Sequence, residues 1–248
     1  MPKHKSHSEG FGNLKIGFWI FLLVSLILNI IFIFQNYERN RVTRVVDGDS
    51  IDLKDGRRIR LLGLDAPERE ECMSSEAYDK LKNLAQGRHV RLKDVVTDDY
   101  GRILANVIVE DWSAWISYLR FRFLPSVIPN LFRNPSQDSF SDPFISRALV
   151  SEGLARFNSV NTPYKDTLKN AQDKAKQEKK GIWSETCRSN NPISACVIKG
   201  NIRAGKKTYF FPDCPNYSDV IIDTSFGDRW FCTENEASSS GFLRSSSC

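Results

Sequence analysis

The chain has 248 residues, and 35 Lys and Arg against 30 Asp and Glu leave a formal net charge of +5. So modest an excess excludes capture of a partner by a strongly basic whole-protein field and leaves that task to local patches. Six cysteines without a C-x-x-C pair argue against a zinc ribbon.

The amino-terminal tail, residues 1–15, carries Lys3, Lys5 and Lys15. Residues 16–34 are then almost wholly apolar, broken only by Gly17, Ser25 and Asn29, and are long enough to span a bilayer as one helix. No small-residue cleavage site comes after them, which favours an uncleaved signal anchor over a removed signal peptide. Arg39, Arg41 and Arg44 rival the leading lysines, so the charge bias is weak; the short tail favours the amino end inside and the rest outside. About seven residues, at roughly 3.3–3.6 Å each, separate the span from the first strand and hold the folded domain within about 25 Å of the bilayer.

Residues 41–46 alternate apolar and polar side chains as a strand does, and Asp47-Gly48-Asp49 interrupts them as a turn. Residues 50–53 resume a strand, and Asp55-Gly56 is a hairpin turn. A third strand is expected over 58–64, with Arg60, Leu62 and Leu64 on one face and Leu61 and Gly63 on the other. Asp65 comes where it ends, and Pro67 stiffens the exit. Asp49 and Asp65 are hard oxygen ligands able to share one cation. Glu68, three residues on, is near enough to act on a water, and Arg60 is the permanent charge that a phosphodiester substrate needs. Asp99-Tyr100-Gly101-Arg102 adds a second arginine just past a turn. Taken singly, these are an ordinary turn, a surface ion pair and a solvated acidic run; the weight lies in finding all of them, in order, in one strand-rich segment.

These motifs, with Ala148-Leu149-Val150-Ser151-Glu152-Gly153-Leu154-Ala155 and Gly181-Ile182-Trp183-Ser184, resemble the thermonuclease family, of staphylococcal or micrococcal nuclease type. The resemblance covers residues 41–186. It implies an α+β fold, a five-stranded OB-type β-barrel with about three helices. Carried over by position, it implies Ca2+ held by Asp49, Asp65 and the Ala66 carbonyl, a catalytic Glu68, phosphate binding by Arg60 and Arg102, and a substrate contact from Tyr100. The implied reaction is endonucleolytic hydrolysis of DNA and RNA with little sequence preference, leaving 3′-phosphate ends and using no organic cofactor. Two positions depart from the pattern. Asp99 stands where the family's prototype has a lysine, and Ser159 stands near a tyrosine that stacks on the substrate base. With the apolar segment, the expectation is a bacterial, single-pass protein of the inner (cell) membrane whose nuclease domain is extracytoplasmic.

Five strands are expected, at 41–46, 50–53, 58–64, 89–96 and 103–109, the count of an OB barrel. Ser74 or Ser75 is expected to cap a helix with Ala77, Leu81, Leu84 and Ala85 inward and Gly87 at its end. Asp142-Pro143 begins a second, with Ile145, Ala148 and Leu149 inward, and Thr162-Pro163 a third, with Tyr164, Leu168, Ala171 and Ala175 on one face. The lysines from 174 to 180 suit a helix C-terminus and a solvated face. His89 reads as a strand residue without a catalytic role. From about 111 to 141 the resemblance lapses in an insertion rich in Trp, Phe and Tyr, with Arg120, Arg122 and Arg133. That composition suits a membrane interface, an extended nucleic-acid surface or a tolerated insertion without function.

Residues 193–237 resemble a small Cys-containing module found behind bacterial nuclease domains, with Phe210 where the module carries a histidine. Cys187, Cys196, Cys214 and Cys232 cluster in this part, with Cys72 and Cys248 apart. A disulfide or two suits the extracytoplasmic side; connectivity is not readable and buried free thiols stay open. The Ser-rich residues 238–248 read as a flexible tail. Two classes of function compete: a membrane-anchored, calcium-dependent nuclease, and a non-catalytic nucleic-acid or protein-binding module on the same OB fold. A degenerate copy is expected to lose an acid or an arginine, and this chain keeps all five.

Overall fold

A computed structural model describes residues 10–110, 144–192 and 195–248, with side chains from residue 18 onward. The first nine residues, the insertion and the Asp142-Pro143 helix start lie outside the described residues.

The first helix, α1 (Gly10–Arg39), is long and apolar enough to cross a membrane. Its large apolar side chains from Phe18 to Phe34 are all exposed. The helix does not stop at residue 34, and no free tether succeeds it. Its last turn is seated on the barrel: Lys54 Nζ donates to Glu38 at 2.6 Å, His89 Nε2 lies 3.0 Å from the same carboxylate, and the His89 ring stacks on Tyr37 at 3.8 Å. Arg57 donates to Asn40 Oδ1 at 2.7 Å just beyond it. His89 therefore serves as a docking residue for α1.

Three strands open the barrel, β1 (Val42–Val45), β2 (Ser50–Leu53) and β3 (Arg58–Leu61), followed by the short β4 (Leu64–Asp65), α2 (Ser74–Ala85), β5 (His89–Thr97) and β6 (Ile103–Glu110). The sheet runs β1-β2-β3-β6-β5, antiparallel except for the β3–β6 pair. It closes where Val42 N–H donates to Arg88 O at 2.9 Å and Val90 N–H to Asn40 O at 3.1 Å. This is the strand order of an OB barrel. Helices α3 (Ile145–Ser151) and α4 (Lys165–Gln177), with β7 (Arg156–Phe157) between them, complete the domain. Ile51, Ile59, Leu61 and Val107 from the strands meet Leu81, Leu149 and Leu168 from the three helices, all fully buried. Each such side chain contributes roughly 1.5–3 kcal/mol by leaving water.

Three local expectations change. The third strand is not continuous over 58–64: it ends at Leu61, and the chain turns through Leu62 and Gly63 (φ +85°) into β4, which pairs with β7. Leu61, Leu62 and Leu64 are all buried as a result, so the expected alternation of faces is lost. Neither serine caps α2: Met73 holds the cap position with no side-chain hydrogen bond, although Ala77, Leu81, Leu84 and Ala85 form the buried face as expected. In α4, Leu168 and Ala175 are buried, with Tyr164 and Ala171 packed beside them.

The C-terminal module contains β8 (Arg188–Ser189), β9 (Ile198–Arg203), β10 (Lys206–Phe210), β11 (Ile222–Asp223), β12 (Arg229–Phe231), α5 (Glu234–Ser239) and β13 (Leu243–Arg244). Its sheet runs β12-β9-β10-β13 over a small core of Ile198, Tyr209, Phe231, Ala237 and Phe242. All six cysteines are paired, as Cys72–Cys187, Cys196–Cys232 and Cys214–Cys248, so no thiol is free. Cys72 and Cys248, set apart in the sequence, are thus partners of the cluster. The Ser-rich end is not a loose tail: it forms the end of α5 and β13, and Cys248 ties it back to Cys214.

The α3 and α4 ends meet at Gly153 and Gly181, both at positive φ, where a Cβ on either would fall on a backbone carbonyl of the opposite segment and Ile182 N–H donates to Gly153 O at 2.8 Å. Gly153→Ala and Gly181→Ala are each expected to lower stability by on the order of 3 kcal/mol in urea denaturation. Gly56→Ala, at φ +88° with nothing within 4 Å, is expected to cost about 1 kcal/mol.

Candidate active site

The break at Gly63 sets the geometry. Arg60, on β3, donates from Nη1 to Asp49 Oδ1 at 2.7 Å and from Nη2 to Asp65 Oδ1 at 2.8 Å. One planar guanidinium therefore joins an acid of the β1–β2 turn to an acid of β4, the fork geometry that arginine supplies and lysine does not. Asp49 is buried, and Asp65 is about half exposed. The Asp49 oxygens also accept from Ser50 Oγ at 2.9 Å and from Ala66 N–H at 3.2 Å. Burial nonetheless pushes the Asp49 carboxyl up to about 7, against the pull of Arg60. The turn before it is held by Asp47, whose Oδ1 accepts Asp49 N–H at 3.0 Å.

Glu68 is exposed, and its carboxylate makes no hydrogen bond among the described residues, while its N–H donates to Glu71 Oε2 at 2.8 Å. Burial raises the Glu71 carboxyl above the usual range despite that bond. Arg102 lies just past a turn built by Asp98. Asp98 Oδ1 accepts the N–H groups of Tyr100 and Arg102 at 3.0 and 2.9 Å, and its Oδ2 accepts Arg102 Nε at 2.6 Å. Tyr100 is 85% exposed, with the Arg102 guanidinium 5.2 Å from its ring centre.

A cleft of about 530 Å³ brings Arg60, Glu68 and Arg102 to one space, with Asp47, Ser50 and Arg58 on its walls. Asp49 and Asp65 lie on Arg60 at its edge, and Tyr100 stands outside the lining beside Arg102. A second cleft of about 530 Å³ adjoins it across Val46 and Asp47, walled by Arg44, Arg69 and Tyr78 among others. Ser159, exposed and at φ +63°, offers no aromatic face. Sequence reasoning missed Ser50, Asp98 and Glu71. Asp98 was findable, because an aspartate two residues before a Tyr-Gly is an Asx-turn signal; Ser50 and Glu71 carry no signal outside the fold.

The donor set fits a hard divalent cation in kind. Asp49 and Asp65 converge on one charged centre, and the Ala66 carbonyl accepts no hydrogen bond among the described residues. Among those residues no group of three or more His, Cys, Asp or Glu side chains is placed to hold a metal, so a cation here must complete its shell with water and substrate.

An OB barrel whose cleft carries three arginines and a glutamate with no hydrogen-bond partner for its carboxylate among the described residues suits an anionic chain, and its similarity to known proteins places it in the nuclease class. The family described as Staphylococcal nuclease homologue matches residues 58–185, just over half of the chain. The match begins at β3, so the turn bearing Asp49 lies before it. An endonuclease of Escherichia coli, itself described as uncharacterized, is 31% identical over 148 residues, which are 58% of this chain and 76% of the relative. The thermonuclease of Staphylococcus hyicus is 30% identical over 162 residues (60% and 78%), and the micrococcal nuclease of Shigella flexneri 26% over 151 residues (59% and 74%). The chain belongs to the staphylococcal nuclease family and is an endonuclease.

Removing Arg60 leaves the buried Asp49 carboxylate without its counter-charge. Arg60→Met is expected to lower stability by about 2–4 kcal/mol at about pH 9 in chelator, measured by urea denaturation, and by less at about pH 6, where Asp49 takes up a proton; the Asp49→Asn/Arg60→Met pair is expected to recover most of the loss at about pH 9.

Proposed function

We propose that this endonuclease hydrolyses phosphodiester bonds of DNA and RNA, with little sequence preference and leaving 3′-phosphate ends, in the cleft between β3 and the Arg102 turn. The observation that carries the reading is the convergence of Arg60, Glu68 and Arg102 on one cleft, with Arg60 seated on both Asp49 and Asp65. Asp49, Asp65 and the Ala66 carbonyl would hold Ca2+, which when bound supplies Lewis-acid stabilisation of the phosphate and a more acidic water. Glu68, with no other partner for its carboxylate among the described residues, takes the proton of the attacking water or fixes that water in line, a role worth about 10²–10⁴-fold. Arg60 and Arg102 donate to the phosphate oxygens as their charge grows. Asp98 keeps Arg102 pointed at the cleft through Nε, leaving its two terminal nitrogens for substrate. Tyr100, beside Arg102, meets the same substrate chain.

The helix α1 is proposed to anchor the enzyme in the bacterial inner membrane, with the nuclease domain on the extracytoplasmic side. Three disulfides and the exposed apolar helix support that reading. Protease added to intact cells is expected to remove the domain; a protected domain would overturn the orientation.

Cleavage of single-stranded DNA by the purified protein is expected to require Ca2+ and to stop in chelator. Glu68→Gln is expected to lower kcat by about 10²–10⁴-fold and Arg102→Ala by about 10²–10³-fold. Full activity in either variant sinks its assigned role, and no cleavage with any divalent ion favours a binding module on this fold.

A further inference from the structure

The segment that carries Asp65, Ala66 and Glu68 is tied to the C-terminal module directly at its end and, at its start, through Arg156 of β7. At its start, Asp65 pairs with Arg156 across β4 and β7. Arg156 in turn donates to Asp223 Oδ1 at 2.8 Å and to Ser225 Oγ at 2.5 Å, and its guanidinium lies 4.9 and 5.2 Å from the ring centres of Trp183 and Phe226. At its end, Cys72 is bonded to Cys187, and Cys72 N–H donates to Thr224 O at 3.2 Å while Thr224 N–H donates to Cys187 O at 2.9 Å. In between, the Glu71 oxygen that does not accept from Glu68 packs on Gly227: a Cβ there would stand 3.2 Å from Glu71 Oε1.

The turn that makes these contacts is itself stiff. Asp228, buried, accepts the N–H groups of Ile202 and Asp223 at 2.7 and 3.0 Å and Asn201 Nδ2 at 2.7 Å. From this rigid base the turn meets the Glu68 segment directly at two points, Thr224 on Cys72 and Gly227 beside Glu71, and reaches its start through Arg156.

We propose that the turn of residues 223–227 holds Glu68 in its reactive position and that Glu71 is the positioning residue that passes this on. The C-terminal module is then a working part of the nuclease site. The proposal rests on the reading of Glu68 as the group that acts on water.

The test uses the full chain in detergent micelles, with added Ca2+ and a single-stranded DNA oligonucleotide. Glu71→Leu and the Cys72→Ser/Cys187→Ser pair are each expected to lower kcat about 10–100-fold with KM changed less than about twofold, the scale of misplacing one reacting group. Glu71→Gln, whose amide oxygen still accepts the Glu68 N–H, is expected to keep most of the activity. On a Glu68→Gln background, Glu71→Leu is expected to cost no more than about twofold, because its effect passes through the missing carboxylate. Folded variants that melt earlier yet keep kcat would overturn the proposal, as would an equal loss on the Glu68→Gln background. Should Glu71→Leu fail to fold, the cysteine pair decides. Full activity in Glu68→Gln alone is the separate failure of the underlying reading.

Discussion

The guanidinium of Arg60 sits between two carboxylates that the chain brings from different directions, Asp49 from the turn before β2 and Asp65 from beyond the end of β3. Arg60 and Asp65 are five residues apart. On a continuous strand that separation is about 16 Å, with the two side chains on opposite faces. The turn at Leu62 and Gly63 folds the chain back, so that the two side chains meet at 2.8 Å. The same turn starts β4, which pairs with β7, so the acid's position is fixed by a second strand as well as by the ion pair. Asp49 would be costly to bury alone, and Arg60, Ser50 and the Ala66 amide offset that cost together.

Everything downstream inherits this arrangement. Ala66 is tied to Asp49 by its amide, and the segment beyond it leaves the barrel only for a short span before Cys72 is bonded to Cys187. A loop of that length, closed at both ends, samples few conformations. Glu68 stands in its middle, exposed, on a short and restrained span. The module that closes the loop is small, and its own core is five side chains. Its two internal disulfides, Cys196–Cys232 and Cys214–Cys248, and the buried Asp223 and Asp228 networks compensate for that size.

The barrel was legible in the sequence because its signals are local. The Asp55-Gly56 hairpin and the spacing of Ala77, Leu81, Leu84 and Ala85 each act within a few residues and each appears where it was expected, while the alternation of faces over 58–64 does not. The acids and arginines were legible as an ordered set from their resemblance to a family. What stayed hidden is what depends on distant chain. The Cys72–Cys187 bond joins residues 115 apart in sequence, and nothing local marks one cysteine of six as its partner. The α1 end reads as a tether because its docking partners, Lys54 and His89, lie 16 and 51 residues away from Glu38. The break in β3 escaped for the opposite reason. Leu61, Leu62 and Leu64 are all buried, and a run of leucines fits a strand facing two ways as well as a turn buried on all sides.

The charge pattern around the cleft explains why a near-neutral protein can still act on a polyanion. The three arginines that line it are already paired: Arg60 with Asp49 and Asp65, Arg58 with Asp52, Arg102 with Asp98. Pairing lowers the long-range field, so attraction at a distance is weak. It also fixes where each guanidinium points, and a guanidinium has five N–H donors, of which a carboxylate takes one or two. Under the proposed mechanism the remaining donors meet a phosphate without first losing side-chain freedom. Guanidinium contacts to phosphate position the chain and carry no sequence information. Ser159, in place of a stacking aromatic, offers a base no face, which agrees with the proposed lack of sequence preference.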